Sequence, residues 1–126
     1  MAPVLPHLEE FRFEGQRSMS TLGFQSDYSF PLALKVDSGW KPTVNQAADH
    51  IRTLSTSGAL FAAVQQHGGA LIIRGLPIQS AEDYSLIAHA FGFEAHEEVG
   101  RPPVRTVLAK NVKTANEGPP ELPIWP

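Results

Sequence analysis

Gly69-Ala70-Leu71-Ile72-Ile73-Arg74-Gly75-Leu76-Pro77 decides the fold class of this 126-residue chain. The apolar run Ala70 to Ile73 predicts a short strand buried on both faces, and Arg74-Gly75-Leu76-Pro77 turns the chain out of it. Gly68-Gly69 comes before this strand and does not open a helix, which is the wrong context for a dinucleotide phosphate loop. Glycine there suits the left-handed position that ends a preceding helix, where a Cβ is costly.

The flanking segments are helical. Downstream, Ser80 is an N-cap with Glu82 and Asp83 in the first turn, where the helix dipole favours acids. Tyr84, Ile87, Ala88 and Phe91 form the expected apolar stripe, and Gly92 ends the helix. Upstream, Thr43 is an N-cap with Gln46 as its capping-box partner, and Val44, Ala47, Ala48, Ile51 and Leu54 line one helical face. Ser55-Thr56-Ser57-Gly58 interrupts that helix. A second piece carries Leu60, Phe61 and Val64 inward and stops at Gly68-Gly69.

Phe30 to Val36 reads as a strand with Asp37-Ser38-Gly39 as its turn, and Thr106 to Ala109 as a last short strand. Residues 1–28 lack periodicity and read as an extended arm held by Phe11, Phe13 and Phe24, ahead of a domain over 29–126. Pro119, Pro120, Pro123 and Pro126 keep the tail extended. The order strand, helix pair, strand, helix, strand makes the fold class mixed α/β.

Bulk composition narrows the function. With 42% hydrophobic and 18% charged residues the chain reads as globular. A net charge of -3 without a Lys/Arg cluster argues against nucleic acid as the main partner. Cysteine is absent, which removes disulfides, thiolate nucleophiles and Cys-bound zinc. The first residues lack the pattern of a signal peptide, and no run approaches the roughly 20 apolar residues of a membrane span. A cytoplasmic protein without membrane attachment is the expectation.

Two blocks resemble one family. The first is Gly69 to Pro77 followed by Ser80-Ala81-Glu82-Asp83-Tyr84 and Phe91-Gly92. The second is Gly100, Arg105 and Val112-Lys113-Thr114-Ala115-Asn116-Glu117-Gly118-Pro119-Pro120. In this order they are similar to the amino-terminal portion of the TauD/TfdA-like dioxygenases, in particular a clavaminate synthase-like branch. The resemblance implies the helix-and-strand lead-in of a double-stranded β-helix fold with an incomplete barrel. It implies Fe(II) and 2-oxoglutarate as cofactors of a complete enzyme acting on a small-molecule substrate. The family's iron sits in a triad of two histidines and one carboxylate. Its His-x-Asp/Glu pair follows the Asn-Glu-x-Pro-Pro stretch, and the distal histidine and the 2-oxoglutarate arginine lie further on. The chain ends at Pro126, where the first pair is expected to follow, so no metal ligand and no catalytic residue carries over and this chain is expected to bind neither cofactor.

The resemblance places Thr114, Asn116 and Glu117 at the mouth of a pocket, while residues of this type before Gly-Pro-Pro also suit a simple turn. Arg105 offers a charge-assisted hydrogen bond to Glu117, or is a surface arginine. His96-Glu97-Glu98 mimics a ligand pair but stands before the second block and reads as a solvated loop. His50 and His89 fall on helices without a second ligand at i+3 or i+4, His67 meets a helix C-terminus, and His7 lies in the arm. Three functions stay open: the front part of an oxygenase, a non-catalytic α/β interaction module whose open sheet edges recruit partners or other copies, and a binder of small molecules without metal.

Overall fold

A computed structural model describes residues 5–94 and 105–114. Within them the chain is mixed α/β, with three α-helices and three small sheets, none of them closed. The strands are β1 (Leu8–Glu10), β2 (Arg17–Ser18), β3 (Ser29–Phe30), β4 (Leu32–Val36), β5 (Leu71–Arg74), β6 (Val107–Ala109) and β7 (Val112–Lys113). The helices are α1 (Val44–Ser57), α2 (Ala59–Gln66) and α3 (Ala81–Ala90).

The main sheet has the order β1-β4-β5. β4 and β5 run parallel, with Leu32 opposite Leu71 and Lys35 opposite Arg74. The crossover between them holds α1 and α2, as a parallel connection requires. β1 is antiparallel to the other side of β4, so the amino-terminal arm supplies an edge strand. Phe11 and Phe13 are half-buried, but Phe24 is 56% exposed and does not hold the arm as expected. β2 and β3 form a separate short ladder, and β6 and β7 a hairpin.

α1 begins with the capping box expected from Thr43 and Gln46. Thr43 Oγ1 accepts from the Gln46 amide at 3.2 Å, and Gln46 Oε1 accepts from the Thr43 amide at 2.9 Å. Gly58 ends α1 in the left-handed conformation, at φ 84°. Gly68 has φ 86°, and a Cβ there would lie 2.6 Å from Phe30 Cδ2, so both backbone and packing require glycine.

α1 connects two apolar clusters. Its Leu54 joins Leu32 and Leu34 of β4 with Leu60 and Ala63 of α2, and Leu8, Leu71 and Ile73 pack around them. Its Ala47, Ala48 and Ile51 meet Ile87 and Ala90 of α3. Phe91 touches both clusters. The sheet therefore buries one face against the helices, and α3 lies on the far side of α1.

Three further expectations are corrected. β5 is not buried on both faces: Leu71, Ile72 and Ile73 are half-buried, because β5 is an edge of the sheet among the described residues. Phe61 does not point inward but is 64% exposed; Leu60 and Ala63 fill the core from α2. Tyr84, 55% exposed, and Ala88 lie outside the buried stripe of α3, which Ile87 and Ala90 form with Leu86 and Phe91 beside them. A rotation of the helix face by about one residue separates the two readings.

Candidate functional site

The hairpin β6–β7 carries the described part of the segment singled out in the sequence. Asn111 forms its tip at φ 58°, a left-handed conformation that asparagine tolerates better than most residues. At its base the Thr114 amide donates to the Thr106 carbonyl at 2.9 Å, and the Thr106 amide donates to Thr114 Oγ1 at 2.8 Å. The Thr114 side chain thus closes the ladder, as a turn residue does. Arg105 is exposed at the entrance to the hairpin. Asn116, Glu117 and the His96-Glu97-Glu98 triplet lie outside the described residues.

Polar groups on α3 hold this hairpin. The Ser85 hydroxyl donates to the Lys110 carbonyl. His89 Nδ1 donates to the Ser85 carbonyl at 2.6 Å, and Asn111 Nδ2 donates to His89 Nε2 at 2.8 Å. A carbonyl only accepts, so the Nδ1 proton is fixed, and the lone pair on Nε2 is taken by Asn111.

Serine, histidine and asparagine in contact have the composition of a nucleophile, base and orienting residue. The hydrogen bonds oppose that role. The hydroxyl proton of Ser85 points to a backbone carbonyl, and His89 offers Ser85 no basic nitrogen to take it. Ser85 is also buried. The trio is a latch between α3 and the hairpin.

The second constellation is at the open face of the main sheet. Glu9, Lys35 and Arg74 occupy adjacent register positions on β1, β4 and β5. Lys35 Nζ pairs with Glu9 at 3.5 Å, while the Arg74 guanidinium lies 5.1 Å from the Phe11 ring and 5.5 Å from the Phe13 ring. The arm phenylalanines thus receive the strand-end arginine through cation–π contacts, each worth about 0.5–1 kcal/mol at an exposed site.

The remaining described histidines are placed by the fold. His67 is buried, caps α2, and its Nδ1 donates to the Ser29 carbonyl at 2.6 Å. Ser29 Oγ in turn donates to Glu10 at 3.1 Å. His67 is a structural residue tying α2 to β3. His7, in the arm, and His50, on α1, are not separate surface residues: they meet Trp40 in one cluster. Sequence spacing held no signal for this, because the loop after β4 and the arm bring the rings together.

An iron triad needs two histidines and a carboxylate converging on one point. Among the described residues no group of three or more His, Cys, Asp or Glu side chains could hold a metal ion, so that triad does not fit within them. No helix among them is long and apolar enough to cross a membrane.

No family model matches the chain. Over 73 residues it is 36% identical to a clavaminate synthase-like protein of Arabidopsis thaliana. The match takes in 58% of this chain and 22% of that relative, so it spans about a fifth of the relative's length. The chain is thereby similar to one part of a larger protein, and the match supports a distant relationship to the clavaminate synthase-like proteins.

Proposed function

We propose that this chain forms the amino-terminal portion of an Fe(II)/2-oxoglutarate-dependent dioxygenase of the TauD/TfdA-like kind, acting on a small molecule. The observation that carries this reading is the 36% identity over 73 residues to a clavaminate synthase-like protein. The ordered blocks Gly69 to Pro77 and Val112 to Pro120 add to it. The described residues then serve as a scaffold. They contribute a sheet, its helical cover and a hairpin latched to α3. The family resemblance, in this reading, assigns Thr114, Asn116 and Glu117 to the pocket mouth of the complete enzyme.

Iron and 2-oxoglutarate belong, in this reading, to a complete enzyme in the cytoplasm, whose barrel supplies the ligands. The 126 residues alone then do not couple 2-oxoglutarate decarboxylation to oxidation. Incubation with Fe(II), ascorbate and 2-oxoglutarate tests this: no succinate above the protein-free rate is expected, and iron-dependent succinate would overturn it.

A second reading is a non-catalytic interaction module, favoured by half-buried β5, which is an edge of the main sheet among the described residues. Such an edge presents backbone donors and acceptors to another strand. Concentration-dependent self-association in sedimentation velocity supports it, and a monomer at all concentrations counts against it.

A further inference from the structure

We propose that His7 and His50 form a surface site for a divalent borderline transition-metal ion of the zinc class, with water completing its coordination. The site is separate from the iron chemistry above and does not rest on it.

The arm is shaped to present both groups. Leu5 to Leu8 make a tight turn closed by the Leu8 amide on the Leu5 carbonyl at 3.2 Å. Pro6 takes the second position, which its ring favours, and His7 takes the third at φ 65°. That position normally selects glycine or asparagine, so an imidazole there is held in an uncommon backbone conformation for a residue with a Cβ. The His7 carbonyl is anchored by the Asp37 amide at 2.8 Å, which fixes the turn beside β4.

The same turn sets the tautomer of His50. His50 Nε2 contacts the Pro6 carbonyl, which only accepts, so Nε2 carries the proton and Nδ1 keeps its lone pair. Metal-binding histidines are oriented in this way, with the outer N–H given to a carbonyl or carboxylate. His7 is exposed, and its ring stacks on Trp40 without a hydrogen bond among the described residues, so its nitrogens are not committed to a protein partner there.

The spacing agrees with shared ligation. Two imidazoles on one tetrahedral zinc, each about 2.1 Å from it through a ring nitrogen, have centroids roughly 5 Å apart. The His7 and His50 centroids are 5.2 Å apart with the planes inclined by 71°. Trp40 stacks on His7 at 4.5 Å and limits its ring motion, which lowers the ordering cost of chelation. Two protein ligands give a weaker site than the closed four-ligand kind, suited to exchangeable metal.

Calorimetric titration with Zn²⁺ tests the site in the full chain and in three variants. His7→Asn suits the left-handed turn, His50→Gln suits the helix, and His96→Gln removes the competing His-x-Glu triplet. Saturable one-to-one binding is expected, weakened at least tenfold by His7→Asn and by His50→Gln, and unchanged by His96→Gln. In nuclear magnetic resonance spectra Zn²⁺ should shift the Trp40 indole N–H in the unmodified chain and leave it in place in both pair variants. Absence of saturable binding, affinity retained in either pair variant, or loss in His96→Gln would each overturn the proposal.

Discussion

Asn111 Nδ2 lies 2.8 Å from His89 Nε2, joining the tip of the β6–β7 hairpin to the last turn of α3. With Ser85 on the Lys110 carbonyl, this contact makes a two-point latch for a hairpin of only 3 and 2 residues in its strands. An isolated two-stranded hairpin is marginal in water, so the latch is what orders the approach to Thr114.

The latch predicts a local effect. His89→Ala removes both imidazole hydrogen bonds and should cost about 1–2 kcal/mol. Hydrogen exchange should speed up at the Thr114 amide, which bonds Thr106, and much less at α1 amides. Asn111→Gly keeps the left-handed tip and loses the side-chain contact, so it should reproduce part of that change. Unchanged protection at Thr114 in both variants would show that these contacts do not hold the hairpin.

Gly68 and Gly58 separate two kinds of glycine requirement. Both have positive φ, but a Cβ at Gly58 meets nothing within 4 Å, whereas at Gly68 it meets Phe30 at 2.6 Å. Gly58→Ala should therefore cost only the backbone term, about 1 kcal/mol. Gly68→Ala should add a repacking cost, for a total of roughly 2–4 kcal/mol. Urea denaturation of the two variants measures the difference; equal losses would contradict the packing argument.

The core of α1 is tested by Ile51, which is among the most buried side chains and faces α3. Ile51→Ala should destabilise by about 2–5 kcal/mol. Tyr84→Ala, on the exposed side of α3, should stay within roughly 0.5 kcal/mol. A large loss at Tyr84 would return it to the core stripe that the sequence pattern suggested.

Thr43→Ala opens the capping box and should cost about 1 kcal/mol of stability, read from the shift in denaturation midpoint. Gln46→Ala removes only the reciprocal half and should cost less.

These elements differ in how far they were legible. The start of α1, the glycine stops and the cap of α3 follow from local chemistry, and Thr43, Gln46, Gly58, Ser80 and Gly92 occupy the places their residue types favour. The orientation of α3 was not local: Tyr84 and Ile87 fit one stripe, and only packing on α1 chooses Ile87 with Ala90. The burial of β5 does not follow from its sequence, because a run such as Leu71-Ile72-Ile73 looks the same at an edge as at a centre. β1 and β7 are 3 and 2 residues long, too short for alternation to register. At the candidate site, Thr114 was legible as a turn residue, whereas the meeting of His7 with His50 depends on a contact between Pro6 and His50, 44 residues apart.

On the proposed function, these residues are scaffold to a dioxygenase of this kind and do not themselves supply its iron centre. Succinate formation from 2-oxoglutarate by the purified 126-residue chain, with and without added Fe(II), is the decisive measurement. No iron-dependent succinate is expected, whatever the state of the His7 and His50 pair. Iron-dependent turnover that survives His7→Asn and His50→Gln would place a working metal centre in these residues and overturn their role as support.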